Sequence, residues 1–337
     1  MGERAERAIA DVAQVRGAVG PALEWARDVG RWAPAPGTGV TRQLWRFFAD
    51  VAAVDVAAAR VMEPHLDALA ILQQVPETVD LAAIGADDES TWGVFAAEGP
   101  GVQLVAREQG GRWLLDGTKP WCSLAGSLSH ALVTARVGES RRLFAVALRA
   151  QGVRADAGPW TPRGLRQIVS APVHFDGVPA VPVGEPGWYL ERPGFFWGGI
   201  GVAACWLGGA AGVARALTEA AHRREPDQLA LAHLGAVDAA LAAGRAVIDA
   251  AAADVDDPRA ADVSWPVLML RARNTVADVS EQVLEHVAHA LGPAPLALDD
   301  AHAARVADLQ LYLRQHHAER DDAALGRALL EAEALER

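Results

Sequence analysis

Residues 89–190 read as short strands set between two stretches of long helix, and this order constrains the fold most. Before residue 89, the segment from Ala5 to Val29 is Ala-rich, with no breaker ahead of Pro21. Pro34-Ala-Pro-Gly37 then interrupts the chain. Thr41 stands as an N-cap before Leu44, Phe47, Phe48 and Val51, which fall at helical spacing. A second helical run covers Val54 to Gln74. In the middle segment, Gln109-Gly110-Gly111 separates two apolar runs and predicts a hairpin. Asp116-Gly117 and Asp176-Gly177 read as further turns. Strands this short and this close together predict a small β barrel or sandwich. After residue 190 the period returns to that of helices. Val276, Val279, Val283, Val287 and Leu291 form an apolar stripe stopped by Gly292-Pro293, and Val306, Leu309 and Leu313 begin a last helix. The chain is therefore α+β, with a helical domain over 1–88, a β domain over 89–190 and a helical bundle over 191–337.

At 337 residues the chain exceeds the usual size of one core, which agrees with this division. Its 43 acidic against 31 basic residues give a net charge of −12, which argues against a nucleic-acid-binding surface. Cys122 and Cys205 are the only cysteines, too few for a disulfide framework or a four-cysteine zinc site. Met1 to Asp11 is charged and shows no apolar leader, so a cytoplasmic location is the expectation. From Pro193 to Ala214, 22 residues carry no charge, long enough to cross a bilayer. Seven of those 22 are glycine, however, and a buried, closely packed helix is the expected outcome in place of a membrane span. Tryptophan is over-represented, 11 against 7 Phe and 2 Tyr, so indoles should mark places that need a large flat surface.

The common site motifs are missing. There is no P-loop, no Gly-x-Gly-x-x-Gly opening a helix after a strand, and no Gly-x-Ser-x-Gly elbow. A di-iron bundle needs paired Glu-x-x-His motifs, and Glu281, Glu285, His286 and His289 do not supply that spacing. No metal site is expected. The most specific local signal is Gly117-Thr-Lys-Pro-Trp121-Cys122-Ser123. Period-two alternation places Trp121 and Ser123 on one face of a strand. A half-buried core strand accounts for that pattern; so does a wall for a planar redox ring, with an indole against the ring and a hydroxyl toward a ring nitrogen.

Three segments give the chain its resemblance to the acyl-CoA dehydrogenase family. Trp92-Gly-Val-Phe95-Ala-Ala97-Glu98 is similar to the family strand ending in Thr-Glu-Pro. Leu115 to Ser123 resembles the family's Gly-x-Lys-x-Trp-Ile-Thr. Gly164-Leu-Arg166, with Val173-His-Phe175 through Pro182-Val-Gly184, resembles the family's Gly-x-Arg and Val-x-Phe segment. The resemblance implies the helical domain, β-barrel domain and C-terminal four-helix bundle of that family. It also implies FAD, an acyl-CoA or related thioester oxidised at its α,β bond, an external electron acceptor, and a homodimer or homotetramer. By position it assigns Phe95, Ala97, Trp121, Cys122, Ser123, His289 and Gly292 to the cofactor, and Trp92 begins the second strand facing the ring. The binding cleft would be locally positive to take the diphosphate.

The departures fall at the catalytic positions. The family's C-terminal Tyr-Glu-Gly-Thr corresponds to Leu313-Arg-Gln-His316, which has no Glu. Some relatives carry the base on an earlier helix, and Glu225 is the residue matching that place. The Ser-Asp after the first family segment is replaced by Gly101-Val-Gln103. Two other activities are therefore compatible with the resemblance: oxygenation with reduced flavin and oxygen, which needs no Glu base, and a flavin-free partner subunit of the same fold.

Overall fold

The computed structural model describes residues 1–155, 158, 160–259 and 263–335. Its N-terminal helices are α1 (Gly2–Val15), α2 (Val19–Gly30), α3 (Thr41–Val54) and α4 (Val56–Gln74). The first break comes before Pro21. Gly17 adopts φ 75°, which ends α1, and Pro21 sits in the first turn of α2, where its missing N–H costs no helical bond. Thr41 is the first residue of α3 instead of its N-cap. Asp256, far along the chain, caps it by accepting from Thr41 N at 2.8 Å and Thr41 Oγ1 at 2.6 Å. Asp55 caps α4 through Ala58 N at 2.7 Å. A 3₁₀ turn at Leu81–Ile84 leads into the sheet.

Seven strands follow: β1 (Trp92–Phe95), β2 (Leu104–Gln109), β3 (Arg112–Ser123), β4 (His130–Val137), β5 (Ser140–Ala147), β6 (Val153–Ala155) and β7 (Ser170–Val183). Pairing runs β4–β2–β3–β7–β5 and returns to β4, so the sheet closes into a small barrel. The expected hairpin at Gly110-Gly111 joins β2 to β3. The other two turn signals lie inside strands. Gly117, at φ 117°, marks a bulge in β3, and a Cβ there would come within 2.2 Å of Gln103 O. Gly177, at φ 58°, lies within β7 and donates its N–H to Asp116 Oδ1 at 2.9 Å. A positive-φ glycine serves a bulge as well as a turn, so the sequence signal has two structural outcomes.

The remaining helices are α5 (Trp188–Glu191), α6 (Pro193–Arg223), α7 (Gln228–Asp256), α8 (Trp265–Leu291), α9 (Ala294–Leu298), α10 (Asp300–Tyr312) and α11 (Glu319–Leu335). Leu313 falls in a 3₁₀ turn, Leu313–Gln315, and not in the last turn of α10. The long, uncharged α6 is the hub, packing on α3, α4, α7, α8 and α10. Its glycines set those distances. A Cβ at Gly208 would reach 2.0 Å from Ala49 O on α3, and one at Gly212 would reach 2.6 Å from Ala53 O. Burial accounts for the apolar stretch, 78% of which is covered in α6. By length and composition α7 would also pass for a membrane span, yet only 22% of its most apolar stretch is buried.

Candidate active-site cleft

Between the barrel, α4, α6 and the turn after α10 lies a cleft of about 600 Å³. On the barrel side its wall comes from Val94, Ala96, Ala97, Trp121 and Ser123. The approach to Trp121 is set by Lys119, whose side chain is 2% exposed. Lys119 Nζ donates to Glu98 Oε1 and to Thr134 Oγ1, both at 2.8 Å. A register shift follows between Lys119 and Cys122, and Trp121 adopts φ 58°, with Leu124 at φ 60°. Such backbone is strained for a bulky residue and is kept where the surroundings hold it. Its result is a Trp121 side chain that remains 63% exposed and lies along the cleft. Cys122 turns inward, and burial pushes its thiol up to about 12.

Ser123 sits in an ordered chain of hydrogen bonds. Arg60 Nη2 on α4 donates to Ser123 Oγ at 3.2 Å, and the Ser123 and Ser170 hydroxyls are 2.7 Å apart. Ser170 donates its single proton to Ile168 O at 3.1 Å, so Ser123 is the donor within the pair. One lone pair of Ser123 is left for a ligand.

The helical wall carries the charge. Glu63 and Asp67 lie one turn apart on α4, with Pro64 between them. Burial, reinforced by Asp67, pushes the Glu63 carboxyl up to about 8, against the opposing pull of Arg60 and Arg273. Burial also raises Asp67, with Arg192 opposing. Tyr189 and Tyr312, which complete this end, are likewise pushed up by burial. Two arginines, Arg60 and Arg314, face the two acids across the cleft.

Of the residues assigned by sequence, the cleft brings together Ala97, Trp121 and Ser123. Phe95 and Cys122 are buried behind the wall, and Trp92 is buried against His130, their rings 5.0 Å apart. Glu225 is exposed in the loop between α6 and α7 and does not line the cleft. His289 and Gly292 lie at the end of α8, outside the cleft, where the His289 ring is 6.2 Å from that of His233. Among the described residues no group of three His, Cys, Asp or Glu is arranged to hold a metal. Arg60, Glu63 and Asp67 are the residues the sequence does not announce. Their one signal is a pair of acids at i, i+4 inside an otherwise apolar helical run.

Neither a protein-family model nor a curated protein matches the sequence. Solved structures do match. Glutaryl-CoA dehydrogenase from Mycobacterium smegmatis superposes with a TM-score of 0.77 at 16% identity, over 98% of this chain and 95% of that one. TdsC from Paenibacillus sp. A11-2, solved with FMN and indole, gives 0.76 at 16% identity over 97% of both chains. KijD3, solved with FMN and a dTDP-linked amino-keto sugar, gives 0.74 at 19% identity over 100% of this chain and 95% of that one. The chain has the acyl-CoA dehydrogenase-like fold. The barrel and the helices packed around α6 are thus the barrel and C-terminal bundle of that fold. The acyl-CoA dehydrogenase-like proteins found this way include a dehydrogenase as well as proteins solved with FMN, so the fold spans more than one activity.

Proposed function

We propose that the chain is a flavin-dependent oxidoreductase whose ring site is the Trp121–Ser123 wall of the cleft. The observation that carries this reading is the exposed, conformationally strained Trp121 beside a Ser123 hydroxyl with a free lone pair. The residues fit such a group. Trp121 offers a flat face, Ala96 and Ala97 leave room along the wall, and a cleft of about 600 Å³ suits a small-molecule site. Bound flavin, FAD by the resemblance, would supply the two-electron chemistry. Ser123 would accept from a ring N–H, and Arg60 and Ser170 would hold the Ser123 hydroxyl in place.

The placement of acids favours oxygenation of a small molecule, with reduced flavin and dioxygen, over α,β-dehydrogenation of an acyl thioester. Dehydrogenation needs an ionised carboxylate beside the α-carbon. No acid occupies 313–316 and Glu225 is outside the cleft, so neither position the family uses for its base supplies one here. The exposed apolar face of α7 supports a homodimer or homotetramer. Purified protein mixed with FMN or FAD and desalted tests the reading. Retained visible flavin absorbance supports it, and a colourless protein points to the flavin-free partner role. Anaerobic bleaching of bound flavin by acyl-CoA thioesters would restore dehydrogenation, with an external acceptor to take the electrons.

A further inference from the structure

The cleft's acidic end is built for something the barrel wall does not explain. Glu63 is 5% exposed, and no described residue donates a hydrogen bond to its carboxyl oxygens or to those of Asp67. Both residues line the cleft. Burying a polar group without a partner is costly, so native structures supply partners. The neighbouring cations approach the acids without hydrogen-bonding them: Arg60 Nη1 makes only a long ion pair with Glu63 Oε2, and Arg192 Nε is buried without a partner. Arg60 stands 4.0 Å from Glu63, gives Nη2 to Ser123 and lies over the Tyr312 ring at 5.5 Å. Arg192, which faces Asp67, donates to Gln74 Oε1 at 2.5 Å and lies over the Tyr189 ring at 5.3 Å. Arg273 donates to the Gly199 and Gln315 carbonyls and lies over the Trp206 ring at 4.5 Å. Two acids one turn apart therefore present acceptors without a hydrogen-bond donor to a cavity whose apolar wall is Leu165, Ile168, Val202 and aromatic rings, with Arg60, Arg314 and His317 at its polar edge. A ligand with a cationic, donor-rich nitrogen would satisfy both acids.

We propose that Glu63 and Asp67 form a head-group pocket for an amine or amidine nitrogen. The substrate is then a small, flat, largely apolar molecule bearing one such nitrogen. This inference takes the cleft as the substrate site of the oxidoreductase reading and adds the substrate class.

The pocket is linked to pH. At neutral pH Glu63 holds a proton, which an incoming cation must displace. The thiol, phenol and guanidinium groups facing it do not share that window. Burial raises the Cys205 thiol and the Tyr189 and Tyr312 hydroxyls, and guanidinium groups keep their charge. Asp67 shares the pocket, and its shift is upward too. At the mouth, His317 and Arg314 face Asp321 and Glu281. If only ionised Glu63 takes the cation, affinity should rise about tenfold from pH 7 to pH 9.

Titration calorimetry of the full chain with benzamidine, benzamide and benzoate tests this on one aromatic body with three heads. Benzamidine should bind best and benzoate worst, with benzamidine about tenfold tighter at pH 9 than at pH 7. Glu63→Gln should abolish the pH step, and Asp67→Asn should weaken benzamidine at both pH values. Benzoate binding as well as benzamidine, no benzamidine binding at millimolar concentration, or a pH-independent wild-type affinity would each overturn the pocket. Flavin retention measured on the same samples separates the two readings. Flavin bound with benzamidine ignored sinks the head-group pocket alone, and benzamidine bound with no flavin retained sinks the flavin site alone.

Discussion

Glutamine at position 63 would keep the shape of the Glu63 side chain and remove its proton equilibrium. In the folded chain the carboxyl titrates at about 8, against 4.5 when free of the fold. Between those values the folded state holds a proton that the unfolded state has released, so folding loses stability as pH rises. The stabilising contribution is complete below the unfolded value and is lost through about pH 8. Integrating from pH 5 to pH 7 gives a loss of about 2–3 kcal/mol, because the unfolded carboxyl is already partly ionised at the lower value. For 337 residues that corresponds to about 3–4 °C in Tm. All other titrating groups are common to both proteins, so the comparison to make is the wild-type-minus-variant difference. Thermal unfolding followed by circular dichroism at pH 5 and pH 7 should show Glu63→Gln gaining about 3–4 °C on the wild type across that interval. A difference that stays constant with pH would refute the buried, protonated state of Glu63 and the electrostatics built on it.

Four further outcomes are expected. His65 accepts from Trp92 N at 3.2 Å, and burial, assisted by Arg27, holds it neutral at about 4; its contribution is present above pH 6.5 and is lost as pH falls through about 4. An acid titration should show His65→Asn removing that loss, on the order of 3 kcal/mol. Gly208→Ala should cost about 3 kcal/mol in urea unfolding by forcing α3 from α6, whereas Gly235→Ala, with nothing near its Cβ, should gain about 0.5–1 kcal/mol. Trp121→Ala should weaken flavin binding about tenfold in a fluorescence titration, since it removes the exposed face of the wall. Glu225→Gln should leave turnover unchanged, because its carboxyl lies in an exposed loop away from the cleft.

The elements that could be read from sequence are those fixed by local period and by glycine. The order of helices and strands and the hairpin at Gly110-Gly111 follow from patterns within a few residues. The close packing of α6 follows from Gly208 and Gly212, which have no side chain to hold α3 away. Trp121 and Ser123 share the cleft as alternation predicts, but through a bulge that alternation does not foresee. The acids of α4 were hidden for a different reason. Glu63 is buried where α6, α10 and the turn after α10 meet α4, and none of those elements is near it in sequence. Likewise the cap on α3 comes from Asp256, 215 residues away from Thr41.

Flavin binding by the full chain tests the central claim most directly. Equilibrium dialysis against FMN and FAD should give about one flavin per chain, with affinity reduced in Trp121→Ala and in Ser123→Ala. No retained flavin, or retention unaffected by both substitutions, would contradict the assignment of the Trp121–Ser123 wall as the redox site.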